Sequence, residues 1–85
     1  MGTAELLQQV ERAARAEHEA RWTAELADVV LAERGIKRQA ANSAATHAQA
    51  ALTAALRAAL ASGLPSLEIF RAQGRGELAA ATAER

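Results

Sequence analysis

An all-α fold, in which two long helices form an antiparallel hairpin and a short third helix closes the C-terminal end, follows from three features of this 85-residue sequence. It is rich in Ala, Leu, Glu, Gln and Arg, the best helix formers, and no run of β-branched or aromatic residues competes with them. Its glycines and single proline are sparse enough to read as element boundaries. Between those boundaries, apolar residues recur at spacings of three and four, the period of a helix that buries one face.

The first helix is expected over about residues 4 to 34. Thr3 is suited to cap it, and Glu5 places a negative charge at the positive end of the helix dipole. Leu6, Val10, Ala13, Glu17, Ala20, Ala24, Ala27 and Leu31 form a narrow seam, with Glu17 as its one charged member. Glu11 with Arg15 and Glu17 with Arg21 stand four residues apart and are favourable surface pairs. Gly35 reads as a left-handed residue ending the helix, with Ile36 placed to touch Leu31.

A second helix is expected over about 37 to 62. Gln39 to Leu56 is eighteen residues without a charge, nine of them alanine. Ala41, Ala45, Ala48, Leu52, Ala55, Leu56, Ala59 and Leu60 form a stripe suited to pack on the first helix, and alanine lets two helix axes come close. Ala41, Ala45, Ala48, Leu52 and Leu56 are also read as the self-association set, because two such hairpins pairing would make a four-helix-bundle-like dimer. The opposite side, with Ser43, Ala50, Ala54 and Ala61, is small and uncharged as well. Gly63, Leu64 and Pro65 repeat the stop pattern. Ser66 is read as the cap of a short helix over about 66 to 73, ended by Gly74 and Gly76, which closes a single helical domain over 1 to 76. Residues 77 to 85 then form a frayed tail with Leu78 as its only large apolar side chain.

Composition narrows the function classes. Leu, Val, Ile, Met, Phe and Trp together number eighteen against twenty-five alanines, a thin core for a chain whose size already limits burial, and association is the natural remedy. The net charge is zero, so no global field draws the chain to nucleic acid or to an anionic membrane. Residues 1 to 33 carry seven acids and three arginines, whereas 34 to 75 carry six bases and one acid, so the first segment attracts the second. Without cysteine there is no disulfide framework and no thiolate chemistry. The N-terminal residues lack a basic stretch followed by an apolar one, and no window approaches eighteen continuous apolar residues; the expectation is a cytoplasmic protein with no membrane span. Nine arginines against one lysine, with so much alanine, point to a GC-rich coding sequence and so to a bacterium, phage or plasmid.

Motifs for chemistry are not assembled. His18 and Glu19 begin like the zinc-protease motif, but Trp22 stands where its second histidine belongs. His47 has no acid or histidine three or four residues away, so neither a metal nor any cofactor is expected, and His47 is read as an interfacial residue. Ser43, Ser62 and Ser66 have capping or helical explanations, and Gln73 to Gly76 lacks the strand and the lysine of a phosphate loop. The expectation is therefore a non-enzymatic protein-binding module, a regulator, adaptor or inhibitor, with Trp22, Leu26, Val29, Leu67, Ile69 and Phe70 as its apolar contact patch. Trp22 and Phe70 are also expected to pack on one another between the first and third helices. The alternative is a small DNA-binding regulator: Leu31 to Ala40 is similar to the middle of a helix-turn-helix, with Gly35 in the turn and Lys37, Arg38 and Gln39 placed to meet phosphates and bases.

Overall fold

The computed structural model describes the backbone of residues 2–30 and 35–83 and the side chains of 2–26 and 39–83. Within them it is all helical: α1 runs Thr3–Val30, α2 Gly35–Ala61 and α3 Ser66–Ala83. None of these helices is long and apolar enough to cross a membrane.

Helix ends follow the backbone hydrogen bonds more closely than the sequence implies. The Gly2 carbonyl accepts from the Leu6 amide at 3.2 Å, so Gly2 occupies the cap and Thr3 is the first helical residue. Likewise the Pro65 carbonyl accepts from Glu68 and Ile69 at 3.1 and 3.2 Å, which puts Ser66 inside the helix instead of at its cap. The stop after α2 is the expected one. Gly63 takes a φ of 85°, its amide reaches the Leu60 carbonyl at 3.1 Å, and the Leu64 amide reaches the Ala59 carbonyl at 3.4 Å. These are the two bonds of a Schellman ending, and Leu64 packs back onto the cluster that contains Ala59. The first turn differs: α2 already begins at Gly35, so this glycine is helical, while the expected Ile36–Leu31 contact lies outside the described residues.

α1 is the central helix. α2 and α3 both pack along it and barely touch each other, and the molecule extends 46 × 24 × 16 Å, its long axis close to the ~42 Å of a 28-residue helix. α2 runs antiparallel to α1, and α3 returns parallel to it. Among the described residues, all three meet near the Gly63 turn, where Val10, Ala59, Ile69 and Ala72 are buried and Leu7, Ala55, Leu56 and Leu64 pack against them. Along the α1 seam Leu6, Val10 and Ala24 are buried, and Glu17 is drawn in with them: its side chain is only 12% exposed, 3.5 Å from the Arg21 guanidinium.

The largest departure from expectation is α3. Neither Gly74 nor Gly76 ends it; the helix continues eighteen residues to Ala83, and 77–83 are helical rather than frayed. The reason is a close crossing. Ile69, Ala72, Gly76 and Ala80 form the buried face of α3. A methyl group built on Gly76 would overlap the Glu11 carbonyl oxygen and lie 2.9 Å from the Arg15 amide nitrogen and 3.0 Å from Ala14 Cβ. Backbone therefore rests on backbone, and that packing outweighs the ~1 kcal/mol that each glycine costs a helix. The same approach redirects a charge. Glu11, expected to pair with Arg15, accepts from Arg75 of α3 at 3.3 Å, while Arg15 donates to Glu19 at 3.0 Å. All four side chains are about half exposed, so each pair contributes at most about 1 kcal/mol.

The two glycines of α3 should thus respond oppositely to the same change. Gly74 has nothing within 4 Å of an added Cβ. In urea titrations at low micromolar concentration, Gly76→Ala is expected to destabilise by about 1–3 kcal/mol and Gly74→Ala to stabilise by about 0.5–1 kcal/mol. Stabilisation at both positions would remove the close crossing.

Candidate functional site

Register decides which apolar residues of α3 face inward. Neighbours in a helix differ by about 100°, so Ile69 and Phe70 point to different surroundings. Ile69 is 4% exposed and belongs to the core, whereas Phe70 is 69% and Leu67 60% exposed. This corrects the expected contact patch, from which Ile69 is removed. Trp22 and Leu26 are each 43% exposed, and the side chain of Val29 lies outside the described set.

Nor does the fold gather the remaining members into one surface. Because Gly76 sits against 11–15 of α1, Phe70 lies level with about residue 7, and Trp22 stands some fifteen residues, or about 20 Å, further along. The expected Trp22–Phe70 packing is therefore not formed. Trp22 instead shares its surroundings with His18, Arg21 and Glu25 of its own helix. The third helix covers the N-terminal half of α1, not the Trp22 side.

What the fold does assemble is an apolar surface on α3 that the sequence reading overlooked. Leu67, Phe70 and Leu78 are all well exposed, Leu78 at 68%, with Gly74 and Ala81 between and beyond them. At about 100° per residue these five positions fall within an arc of about 80°, nearly opposite the buried face. Beside Phe70 the surface continues into a groove between the end of α2 and the start of α3, lined by Leu56, Leu60, Ile69 and Phe70 with Ser66 and Gln73 at its edge. Leu60 is exposed there, because α2 and α3 do not close on each other. The spacing 67, 70, 74, 78, 81 was present in the sequence, but treating Gly74 and Gly76 as stops cut it in half.

The proposed self-association set has a different use within the chain. Leu52 is buried and Ala41, Ala45, Ala48 and Leu56 are partly covered, and α2 makes nearly all its contacts with α1, so this stripe is occupied by the hairpin itself. Ser43, Ala50, Ala54 and Ala61 on its other side are exposed. His47 is exposed, while His18 is partly covered, with Nδ1 3.4 Å from Arg21. Among the described residues, no three His, Cys, Asp or Glu side chains gather in a way that could hold a metal ion.

For the DNA-binding alternative, Gln39 is exposed near the start of α2, and the side chains of Lys37 and Arg38 lie outside the described set. The helices on either side of this point lie lengthwise against each other, whereas a helix-turn-helix sets its two helices at about 90–120°. Comparison with known protein families, characterised proteins and solved structures gives no match.

Two neighbouring substitutions separate core from surface. Ile69→Ala should cost about 2–5 kcal/mol, and Phe70→Ser should stay within about 0.5 kcal/mol, both read by chemical denaturation. Tryptophan emission gives a second check. Phe70→Ser should leave the Trp22 spectrum unchanged, and a shift on this substitution would mean that the two aromatic rings do meet.

Proposed function

We infer that this chain is a small non-enzymatic interaction module that binds a partner protein through the outer face of α3 and so regulates, bridges or inhibits it, in the cytoplasm of a bacterial cell and on a gene of bacterial, phage or plasmid origin. The observation that carries this reading is the exposure of Leu67, Phe70 and Leu78 along one helix face, in a chain with only eighteen large apolar residues. Single exposed apolar residues are ordinary, but a continuous row joined to a groove marks a contact surface. Burying a side chain of this kind is worth about 1.5–3 kcal/mol, and aromatic residues are favoured where binding energy concentrates. An amphipathic helix face presented at i, i+3, i+4 spacing is a recurrent way to engage a groove or another helix. Trp22 and Leu26, at the far end of α1, form a second and smaller apolar contact that a long partner would also reach.

The test compares immobilised wild-type protein with the Phe70→Glu, Leu78→Glu double variant, both first shown equally helical by circular dichroism. Proteins retained by the wild type are expected to fall at least tenfold on the variant. Trp22→Ala should cause a smaller loss. Equal retention by a folded double variant would sink the reading, and a loss confined to Trp22→Ala would move the contact to the distal half of α1.

A further inference from the structure

We propose that the outer face of α3 receives a second copy of the same helix, forming a parallel, two-fold symmetric pair that crosses at Gly74; this rests on that face being an interaction surface. Three observations converge on it. First, none of the described residues covers the face: Leu67, Phe70 and Leu78 are exposed, and beyond the adjoining residues and backbone of its own helix nothing described lies within 4 Å of where a Cβ on Gly74 would stand. Second, no close approach among the described residues requires a glycine at 74. Gly76 lets α1 approach, but Gly74 sits mid-helix with open space above it, where alanine would be the better helix former. A glycine in the middle of an apolar stripe has a purpose when another helix crosses there, because the missing side chain lets the backbones close in and the large residues at 70 and 78 pack on either side.

Third, the flanking charges select both the occupant and its direction. Arg71 lies about 60° to one side of the stripe centre and Glu77 about 60° to the other. Arg75, paired with Glu11, extends the basic flank, with Glu68 at its outer edge about 120° from the stripe centre, and Gln73, hydrogen-bonded to Glu77 at 3.4 Å, extends the other. A two-fold axis running along the helices brings the basic flank of each copy against the acidic flank of its partner, so that Arg71 of each copy shares a flank with Glu77 of the other, about 9 Å apart along the axis and within reach of the long arginine side chain. An antiparallel pair would instead put like flanks together and collect Arg71 and Arg75 of both copies on one side. The zero net charge of the chain leaves no overall repulsion between copies. The exposed small-residue side of α2 lacks comparable features and stays open in this arrangement. The end of α2 lies beside Phe70 and Gln73 of its own copy, so the two-fold sets the two α2 helices on opposite sides of the pair.

Light scattering coupled to size exclusion, over about 5–200 µM, tests the pairing on the full chain. Wild type is expected to move from monomer to dimer within this range, and Phe70→Glu and Leu78→Glu each to remain monomeric with helicity unchanged. Arg71→Glu and Glu77→Arg should each weaken the dimer several-fold, and the two together should restore it; being six residues apart on one helix, they would be rescuing each other across copies. A wild type that stays monomeric at 200 µM overturns the proposal, as does a dimer that survives Phe70→Glu and Leu78→Glu. A rescue that fails while the single swaps weaken the dimer overturns the parallel pairing. If the wild type is monomeric yet the Phe70→Glu, Leu78→Glu variant still loses a retained protein, the interaction surface stands and only its occupancy by a second copy falls.

Discussion

The contact between Gly76 and the backbone of α1 at Glu11 and Arg15 is the constraint on which the remaining structure depends. It fixes how far α3 lies from α1, and with the small side chains of Ala72 and Ala80 it fixes the rotation of α3 about its own axis. Once that rotation is set, Ile69 must enter the core and Leu67, Phe70 and Leu78 must leave it. The same contact carries α3 past two glycines that would weaken an isolated helix, since a helix in a protein takes most of its stability from the face it packs. It also brings Arg75 within reach of Glu11, so the attraction between an acidic first segment and a basic later one takes a definite form, although a weak one.

Much of the architecture was legible because it is local. The α1 seam through Ala24, the α2 stripe apart from Leu60, which is exposed, and the ending at Gly63 depend on residues within a few positions of each other and are found as expected, while the side chains of Ala27 and Leu31 and the expected end of α1 at 34 lie outside the described set. The failures share a cause. A glycine inside a helical stretch lowers helix propensity whatever its neighbours, so the sequence records the cost of Gly74 and Gly76 but not the backbone of α1 that lies against one of them. Ile69 and Phe70 are both apolar and adjacent, and only the docking of α3 tells which faces inward. Trp22 and Phe70 were paired because they are the chain's two aromatic residues, yet the parallel course of α3 places them at different levels of α1.

The surface followed from the same error in reverse. A frayed tail over 77–85 gives Leu78 no helix to belong to and hides the stripe through Leu67, Phe70, Gly74, Leu78 and Ala81. The self-association set on α2 was sound as a packing face but is occupied by α1, because an alanine-rich stripe suits a neighbour in the same chain as well as one in a second copy. An intramolecular hairpin partner, tethered by a short connection, meets it at a far higher effective concentration than a separate molecule can.

A chain with few large apolar residues that leaves three of them in solvent on one helix, α3, needs a physical reason, and the α1–α3 crossing supplies one. A leucine or phenylalanine at 72, 76 or 80 would hold the helices apart and break the backbone contact, so the inner face of α3 tolerates only Ala and Gly there. Small side chains gain little from burial individually, and the closeness they permit is what makes the interface cohesive. The large residues of α3, apart from Ile69, are thereby displaced to its outer side. In the isolated chain that side is hydrophobic surface left unused. A helix laid across it would convert the displaced residues into a second core, with Gly74 to that helix as Gly76 is to α1. Two glycines two residues apart, on faces about 200° apart, make α3 a helix fitted to be pressed from both sides.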